Sequence, residues 1–304
     1  MTRARFQKFA GILLAYTLLV ILWGAWVRIS HSGDGCGDTW PLCHGKLVPE
    51  AEQGKTWVEY AHRLMSGIYG FVVIYFWWVA RKLYPVGHFA RKMALATLIF
   101  TITEALLGAK LVLFKLVTTN DTPYRAFVMA LHQINSFMLT GVVALAYAGA
   151  LEKFNLKPAT GLARRYQLLP LIIVVLGVTG AWAALSNSLF PTDNLWQAFT
   201  EDFSSESHFL IRLRGLHPLL AILCGGGLAM FFWLHSQTAE LEVLKKRSLY
   251  VSLLLFGGIL FGIGTLLLHA PTWMKIGHLT IAHLIWVTLL QWVYFYRVQM
   301  TSER

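Results

Sequence analysis

Eight apolar runs of transmembrane length constrain what this chain can fold into. They occupy residues 9–29, 57–79, 93–114, 125–149, 167–187, 208–234, 248–268 and 272–296. A helix rises about 1.5 Å per residue, so each run can cross a hydrocarbon core of about 30 Å. The chain is 56% hydrophobic and only 13% charged, with a mean hydropathy of +0.56. We predict an all-α integral membrane protein with eight transmembrane helices, which excludes an ordinary water-soluble domain.

The first run follows Arg3, Arg5 and Lys8, a basic start that also precedes secretory signal peptides. Its apolar stretch is longer than the central segment of a signal peptide, and no small-residue cleavage site follows it. We therefore expect the run to remain as a transmembrane helix.

Basic residues between the runs predict the orientation. They concentrate in the loops after the second, fourth and sixth runs, whereas the first and fifth loops carry acidic residues. Loops rich in Lys and Arg face the cytoplasm, so we expect a multi-pass protein of the cell membrane with both termini cytoplasmic. The net charge of +11 follows these inner loops and indicates contact with membrane lipid, not with nucleic acid.

Four histidines lie at similar depth in alternating runs: His62, His132, His217 and His278, in the second, fourth, sixth and eighth. Each lies about 5–9 residues, or roughly 8–14 Å, from the outer end of its helix. A single membrane histidine is most simply a polar residue bonded to a neighbouring helix, but ionisable side chains at this depth are costly. Four at matched depth favour two pairs of axial ligands for haem iron, near the outer face.

The two halves of the chain resemble each other. Each contains four runs, with a histidine in its second and fourth and a long loop after its first. Leu107-Gly108-Ala109 corresponds to Phe261-Gly262-Ile263, and His132 corresponds to His278. We predict two pseudo-symmetric four-helix bundles, at 1–153 and 166–304, joined by a cytoplasmic linker at 154–165.

His283 follows His278 by five residues on the same helix. Side chains at this spacing point about 140° apart, so the two cannot bind one iron together. We interpret His283 as a polar packing group or a hydrogen-bonding partner close to the site, with a ligand role in place of His278 as the alternative.

Glu59 precedes His62 by three residues and therefore lies on the same helix face. A carboxylate beside a porphyrin edge can relay protons or stabilise positive charge on a substrate carbon. The alternative is a helix-surface salt bridge with Arg63. Arg28 and Arg63 lie near outer helix ends, where they could bind haem propionates or extend to the membrane interface.

Cys36 and Cys43 lie in the first outer loop, in a compartment where thiols oxidise. We predict a disulfide between them. A zinc site that also uses His31 and His44 is the alternative.

The first loop and the second helix resemble the haem A synthase family, bacterial and mitochondrial. The matching stretches are Gly24-Ala25-Trp26-Val27-Arg28, Cys36-Gly37-Asp38-Thr39-Trp40-Pro41-Leu42-Cys43-His44-Gly45 and Glu59-Tyr60-Ala61-His62-Arg63. The resemblance extends along the chain in helix count and in the helices of His132 and His278, and it is weakest between residues 155 and 215. It implies oxidation of the C8 methyl group of haem O to the formyl group of haem A by successive hydroxylations.

The resemblance also implies roles for single residues. His62 and His132 would bracket the substrate haem in the N-terminal bundle, His217 and His278 would bind a resident haem b, and Glu59 would be the catalytic carboxylate. The chain departs from the family where His217 is followed by Pro218 instead of the more usual Arg. Its second long outer loop also lacks the extra cysteine pair found in some members.

The sequence contains no glycine-rich strand-to-helix fingerprint for a flavin or nicotinamide, so we expect an external electron donor. A haem O synthase and a second copy of the chain are further candidate partners.

A dihaem cytochrome b that moves electrons from quinol would explain the four histidines equally well, but not Glu59 or the loop cysteines. A transporter with a histidine proton relay is the rival from another class.

Overall fold

The computed structural model of the protein describes residues 1–50, 53–151, 161–192 and 194–302. Within these ranges the secondary structure is helical, apart from one isolated bridge between Cys43 and Lys46. The helices are Arg3–Ile29, Gly54–Leu83, Phe89–Leu113, Pro123–Gly149, Gly161–Tyr166, Leu169–Leu189, Leu195–Phe203, Phe209–Arg214, Leu216–Leu220, Gly226–Thr238, Glu242–Leu267 and Thr272–Ser302, with a π-helical turn at Ala221–Gly225. The predicted all-α class is confirmed.

Eight segments are long and apolar enough to cross a membrane, as predicted. These spans, numbered first to eighth below, are Arg3–Ile29, Gly54–Leu83, Phe89–Leu113, Pro123–Gly149, Arg164–Leu189, Phe209–Thr238, Glu242–Leu267 and Thr272–Val298. Several begin a few residues before the predicted apolar run, because polar and charged residues occupy their first turns.

The start of the fourth span shows how local sequence fixes a helix end. The Thr122 hydroxyl accepts a hydrogen bond from the backbone N–H of Arg125 at 3.3 Å, and Pro123 occupies the first turn. A threonine cap satisfies one of the N–H groups that a helix start leaves free, and proline is tolerated where no N–H is needed. This start fixes the helix that carries His132.

The sixth span is irregular around His217. Its first helix ends at Arg214, a short helix follows at Leu216–Leu220, and the π-helical turn precedes the last segment. Pro218 has no backbone N–H and so interrupts the hydrogen-bond ladder here. π-Helical turns are rare and are found mostly at functional sites.

The buried residues form two main hydrophobic clusters. The first consists of residues from the first four spans, with Phe6 and Phe76 stacked at 4.7 Å between ring centroids. The second consists of residues from the last four spans, including Trp292 and Phe232, together with Phe137 and Ala144 of the fourth span. The fourth span thus packs against both halves, and 56% of its apolar window is buried, the largest share of any span.

The division of the chain into two bundles of four spans stays a prediction, since the second cluster also includes residues of the fourth span. Most of the predicted linker, residues 154–160, lies outside the described residues, and the fifth span begins at Arg164, inside the predicted linker. The pseudo-symmetry of the two bundles stays a prediction.

The fourth span approaches its neighbours through glycines. A methyl group on Gly177 of the fifth span would lie 2.2 Å from Cε2 of Phe137, and one on Gly141 would lie 2.6 Å from Cδ1 of Leu290 in the eighth span. Small residues allow such close helix contact in membranes, where packing is a main source of association.

We expect Gly177→Ala to destabilise the protein by about 1–3 kcal/mol, because the added methyl displaces the buried Phe137 ring. Gly227→Ala is the matched control, since a methyl there meets no atom within 4 Å. Thermal unfolding of both variants in detergent measures the difference. A Gly177→Ala melting temperature equal to that of the control would contradict this account.

Candidate functional site

The four histidines have the matched depth that the sequence indicated. His62 lies eight residues after Gly54, His132 nine after Pro123, His217 eight after Phe209 and His278 six after Thr272, each counted from the first residue of its span. The four rings are all partly exposed.

His217 and His278 face each other. Their ring centroids are 6.1 Å apart and their planes differ by 79°. A metal–imidazole bond of about 2 Å on each side of one metal would place two axial rings about 6 Å apart between centroids. The observed separation therefore suits two ligands of one haem iron.

Three of the four histidines pack against a glycine of a neighbouring helix. A methyl on Gly24, Gly180 or Gly262 would lie 3.0 Å from Cε1 of His62, His217 or His278, respectively. Gly24 lies in the first span and faces His62 of the second span. Gly180 lies in the fifth span and faces His217 of the sixth span in the same way. Each glycine leaves space for the imidazole ring, and a larger side chain at that position would fill this space.

The Nδ1 atoms of these histidines point into the protein. Those of His62 and His278 are buried and make no hydrogen bond with any described residue, whereas that of His132 is buried 3.5 Å from a carboxylate oxygen of Glu104. Nδ1 of His217 lies 3.3 Å from the Thr179 hydroxyl. Because the rings themselves are partly exposed, the accessible edge is the one that carries Nε2, a usual metal-binding atom of histidine. The chemistry and orientation of these residues fit haem.

Glu104 of the third span lies beside His132, and the sequence analysis missed it. Its Oε2 is 3.5 Å from Nδ1 of His132. An acidic residue within an apolar run is itself a signal of function, and it could have identified Glu104.

Glu59 holds the first outer loop to the second span. It is 3% exposed; its Oε2 accepts a hydrogen bond from the backbone N–H of Cys36 at 2.8 Å, and its Oε1 lies 2.6 Å from Nη2 of Arg63. The salt bridge proposed as the alternative role is therefore present, but it is buried and does not lie on the helix surface. The contact with Cys36 was not foreseen, because it depends on how the loop folds back.

The two arginines considered as propionate contacts both have protein partners. Arg63 also donates from Nη1 to the carbonyl oxygens of Thr39 and Leu42, both at 2.6 Å, and so holds the same loop. Arg28 donates from Nη1 to the carbonyl of Ala184 at 3.0 Å and to the Ser188 hydroxyl at 3.3 Å, which joins the first span to the fifth.

Cys36 and Cys43 form the predicted disulfide, with Cα atoms 4.5 Å apart. The zinc alternative has no support, because both thiols are used and the described residues contain no group of three or more metal-binding side chains. At the edge of the loop, the Lys115 ammonium lies 3.2 Å from Asp38 and lowers the pKa of that carboxyl.

His283 is fully buried between the fourth and eighth spans. Its Nδ1 lies 3.2 Å from the Thr140 hydroxyl and its ring packs edge-on against Phe137 at 4.9 Å. These contacts favour the packing role over the ligand role.

Comparison with known proteins identifies the family. A sequence model described as "Cytochrome oxidase assembly protein" (COX15-CtaA) matches residues 7–290. The chain belongs to this family. Its resemblance to haem A synthases is thereby supported along nearly its whole length, not only in the first loop.

The similar proteins carry one of two names. "Heme A synthase" of Shouchella clausii is 29% identical over 298 residues, which cover 94% of this chain and 93% of that protein. "Heme A synthase" of Alkalihalophilus pseudofirmus is 29% identical over 85% and 86% of the two chains. A "Protoheme IX farnesyltransferase" of Thermus thermophilus is 35% identical over 93% of this chain. The chain spans only about half of the Thermus protein, 47% of its length.

Thiol labelling in denaturing detergent tests the disulfide. We expect one reactive thiol per chain before reduction, that of Cys224, and three afterwards. Replacing both Cys36 and Cys43 by serine should lower the free energy of unfolding by about 2–3 kcal/mol at most, because the loop they close is short. Three reactive thiols without reductant would contradict the pairing.

Proposed function

We propose that the chain is a haem A synthase, an oxidoreductase that converts the C8 methyl group of haem O into the formyl group of haem A by successive hydroxylations. The observation that carries the proposal is a similarity to proteins of that name along 85% or more of both chains. The four histidines at matched positions along their spans, three of them packed against a glycine, are the structural counterpart of that similarity.

In this proposal each half of the chain binds one haem. His217 and His278 hold a resident haem b, and their separation of 6.1 Å supports the pairing. His62 and His132 bracket the iron of the substrate haem O. A haem b bound in the C-terminal half would supply one-electron transfer, while the protein fixes both rings and excludes water from them.

Glu59 is the proposed catalytic carboxylate. It is buried, and its helix places it one turn nearer the outer surface than His62. Arg63 and the Cys36 N–H hold the carboxylate in one position, which suits a group that must stabilise charge on a substrate carbon without reorganising. The bond from the Cys36 N–H and those from Arg63 to Thr39 and Leu42 also hold the disulfide loop against this helix.

Arg28 is the more suitable of the two proposed propionate contacts. It lies near enough to Arg125 and Lys275 for their positive charges to interact, and Nε of Arg125 is buried without a hydrogen-bond partner among the described residues. Such a group of cations suits the carboxylates of a porphyrin. Arg63 already directs its donors to Glu59 and the loop.

We further propose that the protein lies in the cell membrane with the haem sites toward the outer face and both termini in the cytoplasm. Electrons pass to or from an external partner. The Thermus relative is named for farnesyl transfer to protohaem IX, which supports a haem O synthase as the partner that delivers the substrate. Association with a second copy of the chain is a further candidate.

Haem content tests the C-terminal site. We expect His217→Ala and His278→Ala each to remove the resident haem b almost completely, because one imidazole of the pair is lost. Absorption spectra of the purified variants, divided by protein concentration, measure the loss. His269→Ala, an exposed histidine just before the eighth span, is the control and should retain haem. Unchanged occupancy in both ligand variants would exclude this site.

Haem A formation from added haem O tests Glu59. If its carboxylate acts on the substrate, Glu59→Gln should lower turnover about 10²–10³-fold, or roughly 3–4 kcal/mol of transition-state stabilisation, while haem b stays bound. Arg63→Gln is the matched control, because it breaks the same ion pair but keeps the carboxylate.

The two variants separate the roles of Glu59. Equal losses in Glu59→Gln and Arg63→Gln would assign the effect to the ion pair that both variants break, whereas a loss confined to Glu59→Gln would assign it to the carboxylate itself. Product amounts near wild type in Glu59→Gln would remove it from the reaction. Extracted haem also distinguishes the rival function, since a dihaem cytochrome b would form no haem A.

A further inference from the structure

Glu104 is an acidic residue deep inside the third span. At 1.5 Å per residue it lies about 22 Å from the start of the helix Phe89–Leu113 and about 14 Å from its end. Only 18% of its side chain is exposed. A carboxylate at such depth is costly unless other groups compensate its charge, so its partners should reveal its role.

The partners of Glu104 are all donors. Ser136 donates its hydroxyl to Oε1, and Nδ2 of Asn135 donates to Oε2 at 2.6 Å. Asn135 is itself fixed, because it donates to the Phe100 carbonyl at 2.8 Å and accepts from the Thr103 hydroxyl at 2.6 Å. Glu104 is therefore held as an acceptor, in one orientation.

His132 completes this arrangement. Its Nδ1 lies 3.5 Å from Oε2 of Glu104 and has no closer hydrogen-bond acceptor among the described residues. A carboxylate that accepts from one ring nitrogen fixes the tautomer and the orientation of the ring and makes the other nitrogen a stronger ligand. Nε2 of His132 is that other nitrogen.

The other three histidines lack such a partner among the described residues. Nδ1 of His62 and of His278 has no hydrogen-bond partner, and Nδ1 of His217 meets only the Thr179 hydroxyl, at 3.3 Å. In the correspondence between the halves, Gly258 takes the place of Glu104. The two axial ligands proposed for the N-terminal haem are thus unequal.

We propose that Glu104 is a positioning residue that makes His132 the strong ligand of the N-terminal haem and leaves His62 the ligand that is displaced first. The inference rests on the proposed function, which assigns these two histidines to the substrate haem. The inference also says which face of the haem opens: the face covered by His62, on the helix that also carries Glu59.

Haem affinity of single-ligand variants tests this inference without measuring turnover. Protein that retains its C-terminal haem is titrated with protohaem IX, in the variants His62→Gly and His132→Gly. We expect His62→Gly, which keeps His132, to bind the added haem about 10–100-fold more tightly than His132→Gly. Adding Glu104→Gln to each variant should bring the two affinities close together.

Two further variants sharpen the result. Glu104→Asp keeps the charge but draws the carboxylate away from Nδ1, so it should also reduce the ratio, and it serves if Glu104→Gln fails to fold. Thr288→Val is the control and should leave the ratio unchanged, because among the described residues the Thr288 hydroxyl bonds only to carbonyls of its own helix. The C-terminal haem absorption reports folding in each case.

The outcomes separate this inference from the function on which it rests. If both single-ligand variants bind haem as wild type does, the N-terminal site itself is wrong, and the role of Glu104 with it. If binding depends on both histidines but the affinity ratio is near one, or does not change with Glu104→Gln or Glu104→Asp, only the role of Glu104 is overturned.

Discussion

The cost of unsatisfied polar groups in a bilayer is the constraint on which this structure depends. Backbone groups at membrane depth must bond within the protein, so the eight apolar runs become helices. The same cost applies to side chains. Glu104 is surrounded by donors from the fourth span, Glu59 by Arg63 and a loop N–H, and Arg28 by acceptors of the fifth span. Each costly group therefore marks a contact between elements that are distant in sequence.

Glu59 and Arg63, an ion pair within the second span, each bind the outer loop: Glu59 accepts from the Cys36 N–H, and Arg63 donates to loop carbonyls. Breaking a buried pair leaves an uncompensated charge and costs about 3–5 kcal/mol, more than the disulfide of so short a loop contributes. Arg63 also binds two loop carbonyls, so the loop is held by charge as well as by the Cys36–Cys43 bond. If Glu59 acts on the substrate, the group that performs the chemistry also closes the site.

The two halves of the chain share one glycine–histidine contact but differ in the groups beside their histidines. In each half a glycine of the first span packs against the histidine of the second. Among the described residues, only the N-terminal half places a carboxylate beside one of the four histidines. Under the proposed function, an unequal pair of ligands suits a site where one ligand must yield.

The sequence by itself determined the helical class, the eight spans, the depth of the four histidines and the disulfide, because apolar length, periodic position and cysteine spacing are local properties. Tertiary structure alone decided that Glu104 lies beside His132, that the Glu59 carboxylate receives the Cys36 N–H, and that Arg28 is bonded to the fifth span. These contacts join residues far apart in the chain, and no local pattern encodes which helix faces which. The broken helix around His217, with its π-helical turn, was likewise seen only in the structure.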